Sequence, residues 1–280
     1  MVSLSELFRS GRERLAASGN DNVRFDTEQL LQKATGADKL KLLTEPMYEV
    51  SDESTAVFDE LLERRISGEP LQYILGEWEF YGLPFKVGEG VLIPRQDTET
   101  LVELVLEQRL SGKRCADLCA GSGCIGITLA KEGGFTVDSY ELSDKAFPYL
   151  QKNISLNAAE DNVKPIKADV LSEQTLSAAP MYDVIVSNPP YLTAQDMREL
   201  DREVTHEPEM ALFGGEDGLD FYRAIMAGWT SKLTHGGFFA VEIGMGQEED
   251  VMRIFRDNGL TADCIKDQCG IYRVVYGNRK

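Results

Sequence analysis

The sequence predicts an α/β chain: a mostly parallel, doubly wound sheet, preceded by a small all-helical domain and joined to it by a β-hairpin. Three observations carry this. From Val91 onward, short apolar runs alternate with stretches of helical periodicity, the pattern of βαβ units. The first seventy residues show helical spacing alone. Between the two lies an aromatic-rich stretch with a Gly-Leu-Pro turn signal. The expected domains are therefore 1–70 (helical), 71–90 (β-hairpin linker) and 91–280 (sheet domain).

In chain order, Met1 to Ser18 reads as an amphipathic helix with Leu4, Leu7, Phe8 and Leu15 on one side. Asp26 is placed to cap a helix over Thr27–Thr35, closed by Gly36. Asp38 can cap Lys39–Thr44, and Ser51 a longer helix carrying Val57, Phe58, Leu61, Leu62 and Ile66, closed by Gly68. Tyr73-Ile74-Leu75 and Trp78 to Val87 read as the hairpin, turning at Gly82-Leu83-Pro84. Asp97 can then cap a helix to Leu110. Strands are expected at Arg114–Leu118, Phe135–Glu141, Val163–Ala168, Tyr182–Ser187, Gly237–Ile243, Thr261–Lys266 and Ile271–Tyr276, the last consecutive ones antiparallel. Helices are expected at Gly123–Lys131, Asp144–Leu156, Leu219–Leu233 and Gln247–Asn258.

At 280 residues, 42% apolar and 27% charged, the chain can bury a sizeable core. Its net charge of −18 opposes a nucleic-acid backbone as direct partner and suits a basic protein surface. The start lacks the apolar core and cleavage site of a signal peptide, and no run approaches a membrane span, so a cytoplasmic protein with no membrane partner is expected. The chain is expected to act as a monomer. Cys115, Cys119, Cys124, Cys264 and Cys269 form neither a disulfide framework nor a CxxC pair. With two histidines besides, no metal site is expected.

Chemistry concentrates at two strand ends. After the run Tyr182–Val186 comes Ser187-Asn188-Pro189-Pro190-Tyr191. The prolines fix φ and remove N–H donors, so Asn188 Oδ1 and the Pro189 carbonyl can each accept from a planar NH2 group on which Tyr191 stacks. Such a grip aims a poorly nucleophilic amide nitrogen at an electrophile without a titratable base. Asp117-Leu118-Cys119-Ala120-Gly121-Ser122-Gly123 joins a strand to a helix N-terminus, and its glycines admit a ligand close to the backbone. Glu141 ends the next strand, where a carboxylate can accept both ribose hydroxyls.

The loop also fits the dinucleotide pattern G-x-G-x-x-G. Two features favour S-adenosylmethionine over NAD: Asp117, placed to hold an ammonium group, and the amide-gripping turn. Asp169 can reach the adenine amino group or serve as a loop residue. The long connection 193–218, with Met210–Phe213 and Gly214-Gly215, reads as an ordered wall or lid; His206 within it reads as structural.

Several segments resemble the HemK/PrmC family of N5-glutamine methyltransferases, which modify peptide chain release factors. They are Gly68–Gly76, Val91–Glu99 with its Ile93-Pro94-Arg95 core, the glycine loop, Asn188–Tyr191 and Glu207–Gly218. The Asn-Pro-Pro-Tyr turn is shared with amino-methyltransferases of adenine. The resemblance implies a Rossmann-like class I methyltransferase domain with a helical substrate-recognition domain before it. It implies S-adenosylmethionine bound by residues 119–123, Glu141 and the side near Val170 and Asn188, and a substrate glutamine on Asn188, Pro189, Pro190 and Tyr191. Cys119 stands where this family commonly has Gly, Gln96 where Pro is usual, and Val170 where an aromatic often covers the adenine. A glutamine methyltransferase of a ribosomal protein, an adenine amino-methyltransferase and a cofactor-sensing binding module remain as alternatives.

Overall fold

The computed structural model describes residues 2–110 and 112–280, so Met1 of the expected first helix lies outside them. The described residues fall into two compact units, 2–77 with 202–206, and 78–201 with 207–280.

The first unit holds α1 (Leu4–Ala17), α2 (Val23–Thr35), α3 (Lys39–Thr44), α4 (Asp52–Ile66) and α5 (Leu71–Leu75). A two-residue ladder, β1 (Val2–Ser3) with β2 (Glu49–Val50), ties its start down. Ser3 caps α1 in a capping box with Glu6, and Asp38 and Ser51 cap α3 and α4 as expected. Leu4, Leu15, Leu30, Phe58 and Leu62 are its buried apolar residues of zero exposure. Asp26 is not a cap. It lies in the first turn of α2, and its carboxylate meets Arg65 at 2.6 Å in the interior. Arg65 also pairs with Glu203, from the short loop segment that belongs to this unit. A buried guanidinium holds a carboxylate more strongly than a helix N-terminus does, and that decides where Asp26 points.

Tyr73-Ile74-Leu75 is helical, in α5, so the hairpin begins later than the sequence suggests. It pairs β3 (Glu77–Phe80) with β4 (Leu83–Lys86), and its turn is Tyr81-Gly82, with φ of 53° and 73°. Two left-handed residues in succession suit the twist of a tight hairpin, which a Gly-Leu-Pro turn would not.

The second unit continues with a 3-10 turn (Gln96–Thr98), α6 (Glu99–Glu107), β5 (Arg114–Leu118), α7 (Cys124–Gly133), β6 (Thr136–Glu141) and α8 (Phe147–Leu156). Then follow β7 (Val163–Lys167), α9 (Glu173–Ala178), β8 (Tyr182–Ser187), α10 (Asp220–Trp229), β9 (Leu233–Glu242), α11 (Glu248–Asp257), β10 (Asp263–Lys266) and β11 (Tyr272–Asn278). Asp97 does not cap α6; it pairs with Arg273 at 3.0 Å. The seven strands lie in the order β10-β11-β9-β8-β5-β6-β7, with β7 through β9 parallel and β11 antiparallel to both neighbours.

Both faces of this sheet are buried, which is why stretches such as Val184–Val186 of β8 and Phe238–Val241 of β9 are continuously apolar instead of alternating. Cys115, Val184 and Val186 join one core cluster; Ala116, Ile185 and Val241 join the other, on the opposite face. The chain runs outward from β5 to β7 and returns to β8 on the other side of β5. Strand order reverses there, and the crevice beyond the carboxyl ends of β5 and β8 is where a sheet of this kind takes a ligand. Among the described residues no helix is long and apolar enough to cross a membrane.

Candidate active site

Two neighbouring strands end at that crevice. Leu118 of β5 is in register with Ser187 of β8, whose hydroxyl donates to the Leu118 carbonyl at 2.8 Å. The glycine loop and the Asn-Pro-Pro-Tyr turn therefore leave the sheet side by side. A cavity opens between them, lined by Cys119, Gly121, Ser122, Glu141, Asp169, Val170, Asn188 and Pro190 among the residues singled out from sequence. Ile93, Pro94, Arg95 and Thr98 form another wall, and Leu142, Met210 and Phe221 add apolar surface.

The loop is shaped for close approach. Gly121 has φ of 55°, and a Cβ built there would meet nothing within 4 Å, so the backbone lies open. Cys119 adopts φ of 60°, a left-handed conformation that glycine takes without cost. Burial pushes its thiol up to about 12, so it stays protonated and unreactive. Glu141 accepts from the Gly121 N–H at 2.7 Å and from the Ser143 N–H at 2.5 Å. Each oxygen keeps a second lone pair for a ligand hydroxyl. Asp169 accepts from the Leu171 N–H at 2.8 Å and still lines the cavity, so it is both a loop residue and a wall residue. Val170 gives its carbonyl to the Trp229 indole at 2.8 Å.

At Asp117, Ala120, Gly123, Pro189 and Tyr191 the structure departs from what the sequence suggests. Asp117 does not line the cavity: it is fully buried, and its Oδ2 accepts from the Gly126 N–H at 3.0 Å. It pins the start of α7 from beneath and does not present a carboxylate to an ammonium group. Burial pushes its carboxyl up to about 7, against the pull of the Gly126 N–H. Ala120 and Gly123 shape the loop from behind, outside the lining. Pro189 is buried beside Pro190 and is not a lining residue. Tyr191 packs against the sheet's core with its hydroxyl 3.5 Å from Glu242 Oε1, so its ring is not in the cavity wall. Burial holds its phenol well above the ordinary range.

Asn188 is the polar group that faces the cavity from β8. Its Nδ2 donates to the buried Thr98 hydroxyl at 3.3 Å, and among the described residues no group donates to its Oδ1. Glu207, its side chain 1% exposed, accepts from the Ile93 N–H at 3.0 Å and pairs with Arg95. It fastens the Ile93-Pro94-Arg95 wall to the long connection, which contains 3-10 turns at Asp196–Arg198, Val204–His206 and Glu209–Ala211. The loop expected to be ordered is ordered, and His206 does not line the cavity. Sequence reasoning passed over Thr98 and Glu242. The signal for Glu242 was present: a carboxylate closing the apolar run Phe238–Val241 in a strand buried on both faces.

Known proteins resemble this chain over nearly its whole length. A family model described as PrmC N-terminal domain matches residues 6–76, and one described as methyltransferase small domain matches residues 96–213. A release factor glutamine methyltransferase of Clostridium botulinum is 37% identical over 281 aligned positions, covering 97% of this chain and 98% of that protein. One from Geobacter sulfurreducens is 40% identical, covering 95% and 93%. A methyltransferase structure from Pyrococcus furiosus superposes with a TM-score of 0.53 at 16% identity, over 71% of this chain and 90% of that one, a likeness of fold. At such identity over nearly its whole length, the chain belongs to the release factor glutamine methyltransferase family.

Proposed function

We propose that this protein transfers the methyl group of S-adenosylmethionine to the side-chain amide nitrogen (N5) of the glutamine in the Gly-Gly-Gln motif of class I peptide chain release factors. One observation carries the reading: Asn188 faces the cavity with its amide nitrogen held by Thr98 and its oxygen free to accept. A substrate amide has two N–H donors and needs acceptors, not a base. Asn188 Oδ1 takes one of them; Pro189, whose carbonyl the sequence offers for the other, is buried outside the cavity lining in this structure. Holding the amide at Asn188 orients the nitrogen lone pair, and that orientation is the catalytic contribution. The proton surplus after transfer leaves to water. Tyr191 supports the turn from behind, in place of the stacking role suggested by sequence.

The residues at the first strand end suit the cofactor. S-adenosylmethionine supplies an electrophilic methyl carbon on its sulfonium. The open backbone at Gly121 would take its methionine portion, Glu141 its ribose hydroxyls, and Asp169 and Val170 its adenine edge. Glu141→Ala is expected to weaken its binding by about tenfold or more, the scale of a lost charge-assisted hydrogen bond, as read by calorimetry. Unchanged affinity, or tight binding of NAD, would overturn this assignment.

The substrate class rests on charge and on the helical unit. The net charge of −18 favours a basic docking surface on the protein partner, and the unit 2–77 with 202–206 is the candidate for docking. The family membership favours a release factor over a ribosomal protein. A short Gly-Gly-Gln peptide presents the reactive group without the docking area. Its kcat/KM should be at least about a hundredfold below that of the whole factor, and the whole factor's value should fall as salt rises. Equal values for the two would refute docking. Methylation of adenine in DNA, with release factor untouched, would refute the substrate class.

A further inference from the structure

The cavity is polarised along the sheet. Its two carboxylates, Glu141 and Asp169, stand at and just past the ends of β6 and β7, while Asn188 stands past the end of β8, on the other side of β5. At the Asn188 end the wall supplies Arg95, the one cation among the described residues that line the cavity. The turn it opens places it there. The Arg95 carbonyl accepts from the Thr98 N–H at 3.1 Å, and the Thr98 hydroxyl accepts from Asn188 Nδ2 at 3.3 Å.

Arg95 is held from one corner only. Its Nη2 donates to Oε1 of Glu207, whose side chain is 1% exposed and whose Oε2 already accepts from the Ile93 N–H. Its Nε and Nη1 donors have no hydrogen-bonding partner among the described residues, and the side chain is 38% exposed. A guanidinium carries five donors in a planar fork, and most of this fork is left for a ligand.

Two ligand groups could claim those donors: the oxygen of the substrate amide, and the carboxylate at the methionine end of the cofactor. The first works against the chemistry. A cation on the amide oxygen draws electron density from the nitrogen that has to attack, and that nitrogen gains positive charge as the methyl arrives. The second is a match of charge and shape, since a guanidinium takes a carboxylate with two parallel bonds. The polarity of the cavity agrees. Hydroxyl and amino donors of the adenosine suit the acceptors near β6 and β7, and the transferable methyl has to lie beside Asn188. The amino-acid end beyond the sulfonium then falls to Arg95.

We propose that Arg95 holds the carboxylate of S-adenosylmethionine, with Glu207 the positioning residue that fixes the guanidinium. The site thereby selects an adenosyl sulfonium that carries an α-carboxylate over one that lacks it. Holding the cofactor at both ends, ribose on Glu141 and carboxylate on Arg95, also aims the methyl between them.

The inference rests on S-adenosylmethionine being the cofactor, and calorimetry with three ligands separates the two. They are S-adenosylmethionine, its decarboxylated analogue, and methylthioadenosine, which lacks the amino-acid chain and the sulfonium charge. The wild type should bind S-adenosylmethionine at least about thirtyfold more tightly than the decarboxylated analogue, the scale of a charge-assisted pair. Arg95→Met should abolish or reverse that preference and leave methylthioadenosine affinity within about threefold. Because this variant strands the buried Glu207 charge, Arg95→Met combined with Glu207→Gln is measured beside it and should show the same loss in a folded protein. Glu207→Gln alone keeps an acceptor for Ile93 and should cut the preference to about tenfold or less, again with methylthioadenosine unaffected. Arg95→Lys keeps the charge without the fork and should retain part of the preference. Equal affinity of the wild type for the two sulfonium ligands overturns the assignment with no variant needed. So does an Arg95→Met protein that keeps the wild-type preference, including one whose only defect is a raised KM for release factor. Binding of none of the three ligands overturns the cofactor reading as well.

Discussion

Asn188→Ala is expected to lower kcat by about a hundredfold or more while the protein stays folded and keeps its affinity for S-adenosylmethionine. A hundredfold corresponds to about 2.7 kcal/mol of transition-state stabilisation, the range found when one preorganised hydrogen-bonding group is removed from a developing charge. The residue sits at the end of β8 with its side chain on the cavity surface, and among the described residues its side chain's one hydrogen-bond partner is the Thr98 hydroxyl. Truncation therefore creates no buried cavity and strands no buried charge, so the fold should survive. The loss should fall on kcat more than on KM, because docking of a whole protein substrate draws on surface far from this one amide. Single-turnover kinetics with release factor, alongside calorimetric cofactor binding, measures both quantities. Near-normal turnover would sink the amide-gripping mechanism.

Much of this candidate site was legible because its residues close strands that short apolar stretches and turn residues mark in the sequence. Arg114–Leu118 and Tyr182–Ser187 appear where expected, since short apolar stretches such as Val184–Val186, bounded by turn residues, mark strands buried on both faces. The glycine loop and the prolines then mark the strand ends by backbone chemistry alone. Acidic residues were harder. Asp26 and Asp97 occupy positions that suit helix caps, yet each is taken by an arginine far along the chain, Arg65 and Arg273. Asp38 and Ser51, with no such competitor, cap as expected. Tyr73-Ile74-Leu75 has strand-like composition but follows Pro70 and precedes a left-handed Gly76, so five residues close into a helical turn. Asp117 shows the same limit inside the site. Its place in the motif is visible in sequence, whereas the direction of its carboxylate, down to the Gly126 N–H, is settled by α7 packing over β5.

The turn that carries Asn188 is itself held from outside, and one glycine there should be as sensitive as the amide. Leu192 donates to the Leu212 carbonyl at 2.8 Å and accepts from the Gly214 N–H at 2.8 Å, so the long connection folds back along the chain just after Tyr191. A Cβ at Gly214 would lie 2.7 Å from the Pro190 carbonyl oxygen, 2.7 Å from Tyr191 Cα and 2.9 Å from the Gly218 carbonyl oxygen. All three are backbone atoms on opposing segments, and none can swing aside as a side-chain tip could. Gln247 adds a further tie, donating to the Tyr191 carbonyl at 3.0 Å. Gly214→Ala must therefore push the Pro190-Tyr191 backbone, and Asn188 with it. Overpacking of this kind costs about 1–3 kcal/mol of stability, and a displacement near 1 Å at a positioning group costs about a hundredfold in rate. The expected result is a folded protein with a lower Tm, kcat down by about a hundredfold, and cofactor affinity within about threefold of the wild type, since Glu141 and Gly121 lie on the other strand end. Gly259→Ala serves as the contrast: its φ of 81° makes a side chain strained, but a Cβ there meets nothing within 4 Å. It should lose about 1 kcal/mol of stability and keep full turnover. Wild-type kcat in a folded Gly214→Ala protein would show that the long connection does not set the position of the turn.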